Sequence, residues 1–333
     1  LAINQIAKIG LSSLQVIYYF EILFRKEQSV RAPVFGLRST RRKPARDSGE
    51  IPECLRSASL NVIDRSDIYS RDVSDAPRSL EKAHVVFIGV GSLGGTVAAN
   101  LARAGLGSMT LVDPDKFESV NLGRHVLGAN DLGKSKAKAL QLKLIQELPT
   151  TEIKAFDTYS QFLMNHNPGI FAKADLIIIT TADWESESAL WALKAASEDW
   201  GLLQGWSEPH TLTGHALLAP QGEFDGRYMF SNSGNFLHRY TDWPNDGIVP
   251  LPACSESFIP GGSAGMSNIA TMMTQTAIRY LDGLHTDPIW MTSIYRPQDA
   301  GLFGGTYHGP ELPEGIIQCV MERKWPALEG AKI

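Results

Sequence analysis

From residue 84 onward the chain settles into apolar runs alternating with amphipathic stretches. "HVVFIGV" (84–90) reads as a buried strand, "GGTVAANLARAG" (94–105) as a helix, and "SMTLVDPD" (108–115) as a second strand ending in acids. In "GKSKAKALQLKLIQEL" (133–148), Ala137, Leu140, Leu144 and Leu148 recur at helical spacing while the lysines face water. "TEIKAFDTY" (151–159) predicts an edge-side strand, and "ADLIIITTAD" (174–183) is an unbroken apolar run that suits an interior parallel strand. Strand and helix in turn imply an α/β fold with a mainly parallel sheet flanked by helices. After residue 201 Gly, Pro and aromatic residues predominate, with a strand hairpin expected at "LTGHALLAP" (212–220) and a small-residue helix at "SAGMSNIATMMTQTAIRYL" (263–281).

The ends are less regular. "LAINQIAKIGLSSLQVIYYFEILFRKEQ" (1–28) is apolar but interrupted by Lys8 and Glu21, too short for a membrane span, and is read as an amphipathic helix. Residues 30–80 carry Pro33, Pro44, Gly49, Pro52 and Pro77 among Ser, Arg and Asp, as a connecting segment does. The expected division is an N-terminal helix and linker (1–60), one α/β domain with a cysteine-bearing loop (61–283) and a C-terminal tail (284–333). Because the chain opens on Leu1 rather than Met, residues 1–60 are expected to be a remnant of a larger protein.

Composition narrows the classes. With 333 residues, 43% hydrophobic and 20% charged, the chain can bury an ordinary core. A net charge of -5 gives no long-range pull toward nucleic acid, and the one dense basic run, "LRSTRRKPAR" (37–46), is read as a solvated linker. Three cysteines with no CxxC pair argue against a disulfide framework and a structural zinc site, and point to a reducing, cytoplasmic setting.

The candidate chemistry begins at the glycines of "GVGSLGG". Gly89 permits a tight turn, Gly91 lets a phosphate approach the backbone, and Gly94 lets the helix close onto the strand. Asp113, at the end of the second strand, can hold ribose hydroxyls, so up to this point an NAD-dependent dehydrogenase reads the same way. The next stretch favours a triphosphate: "DPDKFESVNLGRHVLGANDLGKSKA" packs Asp113, Asp115, Asn121, Arg124, Lys134 and Lys136 just past the nucleotide strand. Arg and Lys there can neutralise a triphosphate and a pyrophosphate leaving group, and Asp183, at a neighbouring strand tip, can bind the magnesium such chemistry requires.

In this order, "GVGSLGG", "DPD", "NLGRH", "DLGKSKA" and "TTAD" resemble the ThiF/MoeB superfamily of ubiquitin-activating-type enzymes, from Arg65 to about Asp183. "RSDIYSRD" echoes the family's preceding Arg-Tyr-x-Arg-Gln element. The resemblance implies a Rossmann-like adenylation domain that uses ATP to adenylate the C-terminal carboxylate of a ubiquitin-like or sulfur-carrier protein. It would place Asp113 on the ribose, Asn121, Arg124 and Lys136 on the phosphates, Asp183 on magnesium, and Arg71 in the partner subunit's site across a homodimer. His125 stands where the family has Gln, and Trp184 follows Asp183 where Asn is common; the paired zinc CxxC motifs of many sulfur-carrier activators are absent.

An acyl adenylate is either handed on as such or captured by a thiol. Cys254, in "PLPACSESFIPGG", precedes a proline by the spacing of the active-cysteine motif of ubiquitin-activating enzymes. It also resembles the cysteine loop of bacterial activating enzymes of ubiquitin-like conjugation and antiviral defence, some fused behind a ubiquitin-conjugating domain. Cys54 lies in the linker, and Cys319 in an apolar run suited to a buried structural thiol. "LQGWSEPHTLTGHALLAP" (203–220) fits the same bacterial group, its His210 and His215 being read as structural. The expected function is therefore adenylation followed by thioester transfer to Cys254, with a conjugating enzyme or fused domain downstream. The alternatives are an adenylate-only enzyme (sulfur-carrier activation or a tRNA-modifying dehydratase), the dehydrogenase, and a non-catalytic scaffold.

Overall fold

The computed structural model describes residues 2–11, 14–23, 61–63, 65–69, 79–197, 199–250 and 257–327. Arg71, Cys54, Cys254 and the basic run 37–46 lie outside these residues. Two compact units divide at Arg71–Asp72.

In the first unit, β1 (Ala2–Leu11) and β2 (Leu14–Leu23) form an antiparallel pair whose register runs from Ala2 opposite Leu23 to Leu11 opposite Leu14; β3 (Asn61–Ile63) pairs with β2, and α1 (Arg65–Ile68) follows. This corrects the helix expected at the N-terminus. Val16, Ile17, Tyr18, Tyr19 and Phe20 are consecutive β-branched and aromatic residues, which lose rotamer freedom in a helix and fit a pleated surface instead.

In the second unit the elements run β4 (His84–Ile88), α2 (Ser92–Arg103), β5 (Ser108–Val112), α3 (Lys136–Glu147), β6 (Glu152–Phe156), α4 (Ser160–His166), α5 (Gly169–Ala172), β7 (Leu176–Ile179), α6 (Trp184–Lys194), β8 (Gly201–Ser207) and β9 (Thr213–Ala219). There follow β10 (Thr241–Asp242), β11 (Val249–Pro250), β12 (Ser257–Phe258), α7 (Ser263–Leu281), β13 (Ile289–Tyr295), β14 (Thr306–Tyr307) and β15 (Gln318–Lys324). An eight-stranded sheet has the order β15-β13-β9-β8-β7-β4-β5-β6. From β6 to β8 the neighbours are parallel; β9, β13 and β15 continue the sheet antiparallel. The parallel half has the Rossmann strand order, in which the direction of winding reverses between β4 and β7 and opens a crevice at their carboxyl ends. The two-stranded pairs β10–β14 and β11–β12 lie outside the main sheet.

β13 and β15 correct the expectation of a separate tail from residue 284: both strands extend the main sheet. β13 ("IWMTSIY") is buried along nearly its whole length and so shows no alternation, whereas β15 at the sheet edge alternates exposed and half-buried positions.

Side chains alternate across the sheet and divide the core. Val85, Phe87, Met109, Leu111 and Ile178 face α2, α3 and α7, packing with Val97, Leu101, Leu140, Leu144 and Met273; Val86, Ile88, Ile177 and Ile179 face the other layer, with Leu163, Phe171, Leu190 and Trp191. α7 approaches β8 and β9 closely: a Cβ at Gly205 would strike Met273, and one at Gly214 would strike Ile269. Trp206, Phe236, Tyr240 and Trp290 enclose the buried His215 ring, and Phe230 packs on Trp206. His215 Nε2 lies 2.7 Å from Glu208 Oε1, which also accepts from the backbone N–H of Tyr240, and Trp290 Nε1 donates to His215 Nδ1. His215 thus holds the sheet's antiparallel half to the chain around Tyr240. A Trp N–H can only donate, so Nδ1 is the acceptor and Nε2 carries the ring hydrogen.

Candidate nucleotide site

The crevice at the carboxyl ends of β4, β5 and β7 is a cleft of about 270 Å³ whose lining includes Gly89, Gly91, Asp113, Asp115, Lys136 and Asp183. These residues span nearly a hundred positions of sequence, and the sheet brings them to one mouth. A larger cleft, about 590 Å³, opens at the opposite end of the sheet beside Lys82, Asp175, Tyr280 and His285; none of the motif residues lines it. Position decides between the two, because open α/β sheets bind ligands at the carboxyl ends of their strands.

The turn after β4 is set by close approaches. Gly89 has φ +85, the left-handed region, and a Cβ there would press on the Thr180 backbone. A Cβ at Gly94 would fall closer than 3.0 Å to Gly89 O and Thr180 Oγ1, so only glycine lets α2 seat against the turn. Around Gly91 a Cβ would meet nothing within 4 Å: the backbone faces open space.

Asp113 is nearly fully buried at 4% exposure, and its oxygens accept the N–H groups of Val90 (2.8 Å) and Asp115 (2.9 Å). Burial lifts its carboxyl above the usual carboxylate range, against the pull of those two N–H groups. It braces the glycine turn from the neighbouring strand. Asp115 is more exposed and pairs with Lys136, Nζ to Oδ2 at 2.8 Å, while the Lys136 N–H donates to Asp115 O. Ser135 caps α3 by accepting from the Lys138 N–H, which places Lys136 in the first turn at the cleft wall. Asp183 caps α6: its Oδ2 accepts from the Ser186 N–H and hydroxyl, and its Oδ1 accepts no hydrogen bond among the described residues. Ala182, just before it, is a non-glycine residue at φ 55.

Asn121 and Arg124 are absent from the cleft lining. Asn121 closes a turn, its side chain accepting from the Glu118 N–H. Arg124 has a buried Nε with no hydrogen-bond partner, a donor that an anion would satisfy. The open backbone at Gly91 and the Lys136 ammonium make the cleft fit a nucleotide phosphate chain. A magnesium ion needs only one or two carboxylates besides phosphate oxygens and water, and Asp183 can supply one. Among the described residues no cluster of three or more His, Cys, Asp or Glu side chains forms a metal cage.

The cleft also contains Thr158, Tyr159, Ser160, Thr180, Thr181 and Ser186; only Thr180 and Thr181 fall in a sequence motif, TTAD, and none of the six was assigned a role from sequence. They come from the ends of β6 and β7 and from the first turn of α6, with no common spacing. Below the Thr181 loop runs a buried polar chain: Thr181 donates to Glu187, Gln204 Nε2 donates to Glu187, and Trp191 Nε1 donates to Gln204. Burial raises the Glu187 carboxyl above its usual range.

Residues 69–206 match the model of the ThiF family, running from just before the glycine turn through β8. The chain carries a ThiF-family domain. The probable adenylyltransferase/sulfurtransferase MoeZ of Mycobacterium tuberculosis is 27% identical over 250 residues, 71% of this chain and 59% of its own length. The ATP-dependent ubiquitin transferase-like protein Cap2 of Pseudomonas aeruginosa is 25% identical over 253 residues, covering 73% of this chain and 45% of its own. The ubiquitin-like modifier-activating enzyme 5 of Caenorhabditis elegans is 29% identical over 193 residues, 55% of this chain and 44% of its own. The chain thus spans about half the length of the curated relatives it matches.

Within the ThiF-family domain lie the glycine turn, both acids after β5, Arg124, Lys136 and Asp183. Outside the matched stretch, Cys319 is half-buried on β15, and burial pushes its thiol up, away from the thiolate form. His210 stands in left-handed backbone (φ 61), stacked between Trp243 and Phe303. No helix among the described residues is long and apolar enough to cross a membrane.

Proposed function

We propose that this protein uses ATP to adenylate the C-terminal carboxylate of a ubiquitin-like protein and then transfers the acyl group to Cys254. The observation that carries the first half is the convergence of Gly91, Asp115, Lys136 and Asp183 on one cleft at the carboxyl ends of β4, β5 and β7. In this reading the Gly91 backbone, Asn121, Arg124 and Lys136 hold the phosphates. The ribose role expected of Asp113 is here assigned instead to the exposed Asp115 carboxylate, because both Asp113 oxygens already accept backbone N–H groups. Lys136 releases Asp115 as it takes up phosphate charge. Asp183 would hold magnesium, which would supply charge neutralisation for the departing pyrophosphate. A carboxylate oxygen of the incoming C-terminus attacks the α-phosphorus, and the bond to the β-phosphate oxygen breaks. The Cys254 thiol, losing its proton to solvent, then attacks the acyl carbon and AMP leaves.

Two relatives named for ubiquitin-like modification support a protein substrate, and a place in bacterial antiviral conjugation is part of the proposal. A homodimer in which Arg71 reaches the partner's site, a downstream conjugating enzyme or fused domain, and a cytoplasmic location complete the proposal. The MoeZ relative, named as an adenylyltransferase/sulfurtransferase, favours a second reading in which catalysis stops at the adenylate. One experiment separates them. With a cognate carrier, Cys254→Ala should keep carrier-dependent pyrophosphate exchange and lose the thiol-sensitive enzyme–carrier adduct. An adduct that survives places the nucleophile elsewhere, and a wild type that never forms one makes this an adenylate-only enzyme.

A further inference from the structure

We propose that His125 is a positioning residue that aims the Gly91 N–H at the nucleotide phosphates; this rests on the nucleotide reading of the cleft. The ring lies between the glycine turn and the segment that carries Arg124. Its Nε2 is 2.7 Å from Val90 O, and the Leu127 N–H donates to its Nδ1 at 3.0 Å. A backbone N–H can only donate, so Nδ1 is unprotonated. Nε2 therefore carries the ring hydrogen and donates it to the Val90 carbonyl. One neutral tautomer satisfies both bonds.

The consequence follows from peptide geometry. Val90 C=O and Gly91 N–H belong to one planar unit, and the described chain has no cis bonds, so the two groups point in opposite directions. Pulling the carbonyl toward His125 turns the Gly91 N–H away from the ring. Gly91 lines the cleft, and its N–H donates no hydrogen bond among the described residues. The other side of Val90 is fixed as well, since its own N–H donates to Asp113. Two side chains thus set the orientation of a turn whose glycines would otherwise leave it free. Gly95 makes room for the clamp: a Cβ there would come within 3.4 Å of the imidazole. Phe117 packs against the ring's other side, at 5.2 Å between centroids.

An imidazolium would still donate to Val90 O but could not accept the Leu127 N–H, so protonation releases the anchor that fixes the ring's orientation. Burial pushes the His125 pKa below its ordinary value; the Val90 bond opposes this, the Lys136 ammonium adds to it, and Asp131 opposes it. Both bonds are therefore present at neutral pH, and the Leu127 anchor is lost on acidification.

The test is isothermal titration of the full chain with magnesium and a non-hydrolysable ATP analogue, alongside thermal melts. His125→Ala should weaken binding about tenfold or more at neutral pH. His125→Gln, which offers Val90 O an amide donor and does not titrate, should recover binding to within about threefold. Between about pH 7.5 and about pH 5.5 the wild type should lose affinity more steeply than His125→Gln. Alanine binding as tightly as wild type, or identical pH profiles for wild type and His125→Gln, would overturn the inference. A wild type that binds no nucleotide at any pH would overturn the nucleotide reading itself.

Discussion

Gly91 and Gly94 are three positions apart on one turn, and alanine at each should fail in opposite ways. Gly91 has φ -69, a value any L-residue adopts, and its Cβ would meet nothing within 4 Å. Gly91→Ala should therefore leave stability within about 0.5 kcal/mol of wild type, or raise it slightly through the unfolded chain. Its methyl group would occupy the space the phosphates need, weakening ATP binding about tenfold or more, a loss of at least about 1.4 kcal/mol. Gly94→Ala would drive a Cβ against Gly89 O and Thr180 Oγ1, closer than 3.0 Å to both. The helix must retreat, at an overpacking cost of about 1–3 kcal/mol. The Thr180 to Gly89 hydrogen bond, now 2.8 Å, would be lost for about 1 kcal/mol more. Together these give about 2–4 kcal/mol, a drop in Tm of roughly 5–15 °C for a unit of this size. Thermal melts and calorimetric titration with magnesium and an ATP analogue read both effects. A Gly94→Ala protein melting like wild type, or a Gly91→Ala protein binding nucleotide like wild type, would refute the assignment of these two glycines.

Two further substitutions separate structure from chemistry. Asp183→Asn should keep the α6 cap, since Asn caps helices as well as Asp, yet abolish pyrophosphate exchange; Asp183→Ala should lose both, at about 1 kcal/mol of stability in a melt. Burial alone would raise the Glu208 pKa, but hydrogen bonds from His215 and Thr241 outweigh it, and the carboxyl sits below its usual range. The stability it contributes is thus present above the unfolded value of about 4.3 and lost as pH falls through the lower folded value. The Tm gap between wild type and Glu208→Gln should be widest near neutral pH and close in acid; a gap constant with pH would contradict this.

The parts of the fold legible in the sequence were those with a local signal. β4, α2, β5, α3 and β7 each show a period or an unbroken apolar run, and α7 was placed to the residue. β13 was missed because burial on both faces removes alternation, and β1 and β2 because interrupting charges hid a run of strand-forming side chains. The glycines, Asp113, Lys136 and Asp183 were visible because turns, strand ends and helix starts leave marks at fixed spacing. Tyr159 and the Glu187–Gln204–Trp191 chain were not, since only the folded sheet makes them neighbours. His215 shows the same limit in reverse: the residue was noted, but its tie to Glu208 and Trp290 joins segments too far apart to read along the chain.

The approach of α7 to the sheet means that the stretch recognised by sequence and the stretch able to stand alone are different objects. Residues 69–206 hold the nucleotide turn, but the layer over α2 is completed by Ile269, Ala270, Met273 and Ala277, all fully or almost fully buried and all outside that stretch. A fragment cut at residue 206 would also leave β8 as a bare edge where β9 now pairs with it. The later half of the chain is thus the floor of the ThiF-family half, and whatever alters β9, α7 or β13 reaches the cleft through the helix whose first turn begins at Gly91.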